Sequence, residues 1–286
     1  MDIGISIFPT DHSIDIAIFA EKVEEYGYES LWVPEHSIIP VETVTPWPGS
    51  SDGKIPKQYA DIVDPFVALS RASVSTKTLK LGTGICLVPE RNPLLLAKEV
   101  ATLDHYSGGR FIFGIGAGWL REETEIMGGN FRRRWAQTRE SIEAMKQLWT
   151  KVESEYHGEF YDFPKVYSFP SPVQRPHPPI YLGGHAKNVF NRIVAWGDGW
   201  IPNRITPQNL EKGRNKLMEL ADESGRNSTS INVTVYGQEP DVDLLKEFES
   251  IGADRVVIAM DTLDEKGVLK KLEEISQKIF SRFSSN

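Results

Sequence analysis

The chain has 286 residues, 40% of them hydrophobic and 25% charged, with a formal net charge of −8 and a pI of 5.4. A chain of this length buries roughly 75% of the surface that its unfolded form exposes, so a full core is within reach. The acidic balance excludes a nucleic-acid backbone or an anionic membrane as the main partner.

The single cysteine, Cys86, rules out an intrachain disulfide and fits a reducing compartment. No positive region follows Met1 and no apolar run has bilayer length, so a cytoplasmic protein is expected.

Strand and helix signals alternate along the chain. Ile3, Ile5 and Ile7 alternate with Gly4 and Ser6, the period of a strand. Ile16, Phe19, Ala20, Val23 and Tyr26 recur at helical spacing up to a stop at Gly27. Residues 31–33 read as a second strand ending at Pro34, and a Pro- and Gly-containing loop runs on to Asp64. A helix from Pro65 leads to a third strand over 79–87, and a helix over 92–105 leads to a fourth over 111–115. A further helix spans 134–149. Residues 151–178 break the rhythm with aromatics and five prolines, which reads as an insertion after the fourth βα unit. Strands resume over 180–182, 199–201, 231–236 and 255–259, each followed by a helical stretch.

Eight strands separated by helices imply parallel pairing and suit a closed barrel. The expected fold class is therefore α/β, a (β/α)8 TIM barrel forming a single domain over 1–286. A doubly wound open sheet is the competing topology.

Gly114, Gly116 and Gly118 follow the apolar run of the fourth strand. A dinucleotide fingerprint needs G-x-G-x-x-G opening a helix of the first βαβ unit, and here Trp119 stands where the third glycine belongs. In a barrel the same glycines mark the carboxyl end of a strand, where active sites are built. They either let a flat ring approach the backbone or relieve crowding between strand and loop.

Several stretches, taken in order, resemble the bacterial-luciferase-like superfamily and its branch using the deazaflavin coenzyme F-420. They are Trp32-Val33-Pro34-Glu35-His36, residues 81–85, 91–99 and 103–111, the glycine turn, residues 178–184, and Gly197-Asp198-Gly199-Trp200. The resemblance implies a cofactor lying across the carboxyl ends of the barrel strands. It places Glu35 and His36 next to the reacting ring carbon. It also implies a non-proline cis peptide at Gly84-Ile85, with Cys86 following, behind the ring. Gly116, Ala117 and Gly118 would border the ring system, and the backbone of Leu182, Gly183, Gly184 and His185 would hold the cofactor phosphate ahead of a helix at 186–195. The activity implied is hydride transfer between the deazaflavin and a small organic substrate, and a homodimer is the family habit. FMN with reduced flavin and oxygen, in a monooxygenase, is the alternative; a non-catalytic flavin-binding protein is another.

His36 is the candidate for proton handling, since imidazole exchanges a proton near neutral pH. Its other reading is a loop histidine satisfying a carbonyl. Glu35 could orient His36 or bind the ring edge. Paired with Glu90 or Asp61 it would instead suggest a two-carboxylate hydrolase. His105 falls on the amino-terminal face and reads as structural. No histidine spacing suggests a metal site. Arg132, Arg133 and Arg134 read as a solvated cluster near Glu122, Glu123 and Glu125, or as contacts for an anionic cofactor tail. Trp119 could wall the substrate pocket, and the loops at 37–64 and 150–178 are expected to set the substrate.

Overall fold

A computed structural model describes residues 1–261 and 264–283; of the domain expected over 1–286, residues 262–263 and 284–286 lie outside that description. The first half runs β1 (Asp2–Ser6), α1 (Ile16–Glu25), β2 (Ser30–Val33), α2 (Gln58–Asp61), α3 (Pro65–Ser75), β3 (Lys80–Thr83) and β4 (Cys86–Leu87). It continues with α4 (Pro93–Ser107), β5 (Phe111–Gly116), α5 (Arg121–Ile126) and α6 (Arg134–Thr150). The second half runs β6 (Ser154–His157), β7 (Asp162–Val166), β8 (Ile180–Gly183), α7 (Val189–Trp196) and β9 (Gly199–Ile201). It ends with α8 (Pro207–Glu223), β10 (Asn232–Gln238), α9 (Val242–Ile251), β11 (Arg255–Ala259) and α10 (Glu265–Phe283).

The helix starts are chemical. Asp15, Asp64 and Asn92 each accept first-turn N–H groups, and Pro65, Pro93 and Pro207 occupy the opening turn, where a missing N–H costs nothing. Among the described residues no helix is long and apolar enough to cross a membrane.

The strands pair in the order β3-β2-β1-β11-β10-β9-β8-β5, and β3 returns to β5 through Leu81↔Phe111 and Gly82↔Ile112. This closes an eight-stranded parallel barrel, as expected. The third strand is not continuous over 79–87. It breaks at a cis peptide between Gly84 and Ile85 and resumes as β4, which pairs with β5 through Cys86↔Ile115 and Leu87↔Gly116. The insertion contains an antiparallel hairpin of β6 and β7, not expected because β6 has only one fully buried residue and β7 carries Pro164.

Two apolar layers follow from side-chain alternation. One lies between the barrel and its helices. The other fills the barrel with Trp32, Ile112, Tyr181, Ile201, Tyr236 and Val257, and Ile85 packs on it at the carboxyl end. Interior glycines make room for this filling. A Cβ at Gly82 would lie 2.4 Å from Trp32, and one at Gly114 would lie 2.1 Å from the Thr83 carbonyl oxygen.

Candidate functional site

A cavity of about 570 Å³ opens at the carboxyl ends of the strands. It lies within the size range of small-molecule sites. Its lining comes from the ends of β1, β2, β5, β8, β9, β10 and β11, from the Gly84–Leu87 segment, and from residues 47–49 and 59 of the long loop.

His36 lies where the chain leaves β2, with its side chain only 6% exposed. Its Nδ1 donates to Glu123 Oε2 at 2.6 Å, and Trp119 Nε1 donates to its Nε2 at 3.4 Å. These partners assign the neutral tautomer that carries its proton on Nδ1. Glu123, on α5, is fully buried. The imidazole sits in an aromatic enclosure: Tyr59 lies 5.1 Å and Trp119 5.7 Å away between ring centres, and Tyr59 packs on Trp47 and Phe8. Glu122 accepts N–H groups from Val44 and Thr45 at 2.7 and 3.0 Å, tying the long loop to α5. Burial raises its carboxyl, but these hydrogen bonds outweigh it and hold the group at about 2.

Glu35 also borders the cavity, yet its carboxylate is already engaged. Oε2 accepts from Leu87 N at 2.5 Å and Oε1 from Arg91 Nε at 2.6 Å. Arg91 also binds Asp64 and Glu99. The group therefore pins the segment after the cis peptide and is not free to take a substrate proton. This also removes the two-carboxylate reading. Glu90 lies behind the lining at 4% exposure, with Oε1 accepting from Thr124 Oγ1 at 2.9 Å and Oε2 unpartnered.

The residues expected around a cofactor divide in two. Gly84, Ile85, Gly116, Ala117, Gly118, Gly183, Gly184 and His185 all line the cavity. Cys86 and Leu182 do not; both are fully buried in the layer between barrel and helices, as alternation along a strand requires. Burial pushes the Cys86 thiol well up, so it is inert there.

The glycines do not offer bare main chain. A Cβ at Gly116 would lie 2.0 Å from Ile85 Cδ1, and one at Gly183 would lie 3.1 Å from the same atom. The space they leave is taken by Ile85, which forms an aliphatic floor. The phosphate cradle is also altered. Gly184 N donates to Ile201 O at 3.2 Å, His185 Nε2 bonds Asn203 O at 2.7 Å, and α7 begins at Val189 instead of residue 186.

The arginine cluster is not neutralised by the acids next to it in sequence. Glu122 and Glu123 are engaged as above, and Glu125 pairs with Arg121. Arg133 pairs with Glu159, while Arg134 stacks on Phe131 at 4.0 Å. Behind the cavity-lining Trp135, Arg192 stacks at 4.3 Å. Arg134 Nε and Arg192 Nη1 are buried there without a hydrogen-bond partner. Burial lowers both guanidinium pKa values, and the charge of Arg134 lowers that of Arg192 further.

Sequence reasoning missed Glu123, Phe8, Trp47, Tyr59, Trp135, Arg204 and Tyr236. Trp47 and Tyr59 left a signal, since they are aromatic rings in a long Pro- and Gly-containing loop. None of the lining comes from residues 150–178, so that loop does not form the pocket wall.

The site fits a planar redox ring with an anionic tail. The floor is aliphatic, and the buried Tyr236 hydroxyl borders the cavity without a partner. Two orphaned arginine donors stand behind one wall. Buried polar groups left unpaired are uncommon and call for a ligand or an ordered water.

A sequence profile of the luciferase-like monooxygenase family matches residues 11–238. Over 284 residues the chain is 34% identical to an uncharacterised protein of Mycobacterium tuberculosis, spanning 98% of this chain and 99% of that one. Over 202 residues it is 32% identical to the oxygenase component of a flavin-dependent trigonelline monooxygenase from Acinetobacter baylyi, covering 70% of this chain and 49% of the relative. The coenzyme F420 dependent tetrahydromethanopterin reductase of Methanopyrus kandleri has the same fold, with a TM-score of 0.78 at 21% identity over 99% of both chains. With the closed barrel and its broken third strand, the profile match leads to one conclusion: the chain belongs to the luciferase-like monooxygenase family.

Proposed function

We propose that the protein is an oxidoreductase that transfers hydride between coenzyme F-420 and a small organic substrate, with His36 Nε2 holding the accompanying proton. The observation that carries this reading is the buried His36–Glu123 hydrogen bond beside an apolar cavity floored by Ile85. A bound deazaflavin would supply the two-electron chemistry. Gly84, Ile85, Gly116, Ala117 and Gly118 would hold its ring system. The backbone at His185 would hold its tail, with Arg134 and Arg192 lending positive charge from behind Trp135.

The chain's own residues do the rest. Glu123 fixes the imidazole in one tautomer, so the Nε2 lone pair is the basic atom. Nε2 takes the hydroxyl proton of an alcohol becoming a carbonyl, or returns it in the reverse direction. The Trp119 N–H occupies Nε2 at rest and must give way when that proton arrives. Phe8, Trp47 and Tyr59 exclude water from the imidazole. Glu35 and Arg91 keep the floor in place.

The F420-dependent reductase shares the fold end to end, which admits the deazaflavin reading without favouring it over FMN. FMN is the second reading, with a monooxygenase reaction, and the identity to the trigonelline oxygenase component favours it. Titrating the purified protein with each cofactor separates the two. Binding of coenzyme F-420 with no binding of FMN is the expected result; tight FMN binding alone rejects the proposal.

A further inference from the structure

Arg204 follows β9 and lines the cavity beside Asn203 and Gly237. Among the described residues its guanidinium forms no ion pair, whereas Glu35 and His36, which share the lining, are held by Arg91 and Glu123. The Arg204 side chain is exposed at the mouth, so its charge is open to an incoming ligand.

Its backbone is strained. Arg204 is the one non-glycine residue with positive φ among those described, at 48°. That region is disfavoured for any residue with a Cβ, and such strain gathers at functional sites. Two backbone contacts hold it there. Arg204 N donates to Tyr236 O and Tyr236 N donates to Pro202 O, both at 2.8 Å, which bridges Asn203 to Tyr236. Gly237 clears the space alongside, since a Cβ there would lie 2.5 Å from Asn203 Oδ1 and 3.5 Å from Arg204 Cγ.

The charge reaches towards the reacting end. Burial raises the Tyr59 hydroxyl, and a hydrogen bond with Trp47, then the field of Arg204, oppose this in part. The Tyr59 ring also packs on His36. The cation and the imidazole thus act on the same tyrosine.

We infer that Arg204 determines substrate class by binding a carboxylate or phosphate group at the cavity mouth while the reacting carbon lies by His36. The substrate is then a small organic oxyanion, its apolar body against Phe8, Trp47 and Tyr59. Placing the reacting carbon rests on the proposed oxidoreductase reading; the anion site itself does not.

The test titrates benzoate, phenyl phosphate and neutral benzamide into F-420-loaded protein and into cofactor-free protein, read by tryptophan fluorescence. At least one oxyanion should bind about tenfold more tightly than benzamide, the scale of a charge-assisted hydrogen bond. Arg204→Gln should erase that preference and Arg204→Lys should keep part of it, with F-420 affinity unchanged within about twofold. Equal binding of benzamide by the wild type, or a preference that survives Arg204→Gln, overturns the inference. So does a loss of F-420 affinity with the preference intact, which would assign Arg204 to the cofactor tail. Should F-420 not bind at all, the proposed function falls, and the cofactor-free titration still decides the role of Arg204.

Discussion

The two ends of the barrel treat their polar groups differently. At the amino-terminal end Arg255, 2% exposed, pairs with Glu29 through contacts of 2.7 and 2.6 Å and gives Nη1 to Thr234. Arg110 donates to the carbonyls of Ser73, Thr76, Leu79 and Ser107, and Glu24 accepts N–H groups from residues 77–79. At the carboxyl-terminal end the Tyr236 hydroxyl, Glu90 Oε2, Arg134 Nε and Arg192 Nη1 are buried without partners. Arg204 is unpaired as well. The amino-terminal end is closed mostly by its own side chains and serves stability, although Gln147 Oε1 near the end of α6 and Arg214 Nε beside Gly252 are also buried without partners. The other keeps polar groups in reserve, where a barrel of this kind carries its chemistry.

The sharpest way to break this comparison is to alter each end in turn. His36→Ala should lower turnover by about 10²–10⁴-fold, the usual loss of a general acid–base group. Cofactor affinity should hardly move, while the melting temperature should fall, because the fully buried Glu123 loses its hydrogen-bond partner. Turnover that survives the substitution removes His36 from its role. Arg255→Met should act on stability alone. Breaking a buried ion pair costs about 3–5 kcal/mol, read as a lower melting temperature, with cofactor affinity preserved.

The Glu29 partner gives this a pH signature. Burial raises its carboxyl, but the hydrogen bonds and charge of Arg255 prevail and hold it at about 2. A depressed carboxylate contributes stability above its unfolded value of 4.5, and that stability is lost as pH falls toward 2. In Arg255→Met the acid-side loss should be much shallower.

Glu90 tests the other end. Burial, then the negative charge of Glu123, pushes its carboxyl up to about 8. A raised acid keeps a proton in the folded state that the unfolded chain has released. Its cost is therefore absent below pH 4.5 and grows until about pH 8. Glu90→Gln should match wild type near pH 4 and exceed it by up to about 5 kcal/mol above pH 8. Denaturant unfolding at several pH values measures this. Equal slopes for both proteins would mean that Glu90 is not held protonated.

What the sequence made legible follows from how far apart the cooperating residues stand. The barrel strands were readable because alternation is local: Ile3, Ile5 and Ile7 announce β1 without reference to anything distant. The break at Gly84–Ile85 was visible only through resemblance, since residues 79–87 read as one strand by composition. His36 was legible, but its partner Glu123 stands 87 positions away in a charged run that looks like an exposed helix turn. The hairpin after α6 hid because its alternating face is mostly wet. Arg204 had no local signal, because a left-handed turn usually advertises itself with glycine or asparagine. Cys86 and Leu182 were misplaced by one position, which in a strand reverses the face.

The smallest expected effect concerns the floor. Gly116→Ala puts a methyl group 2.0 Å from Ile85 Cδ1, a flexible tip that can move aside into the cavity. Overpacking of this kind costs about 1–3 kcal/mol. Moving Ile85 should also weaken cofactor binding, since that side chain is the surface on which the ring would rest. Ile85→Val removes the colliding Cδ1 and leaves Cγ1, 3.2 Å from the new methyl, as the nearest contact. The double variant should therefore recover most of the lost stability, a coupling expected of residues in direct contact. If Gly116→Ala lowers stability and Ile85→Val does not restore it, the glycine serves the turn itself and not the floor. If cofactor affinity is untouched by both, the ring does not lie on Ile85.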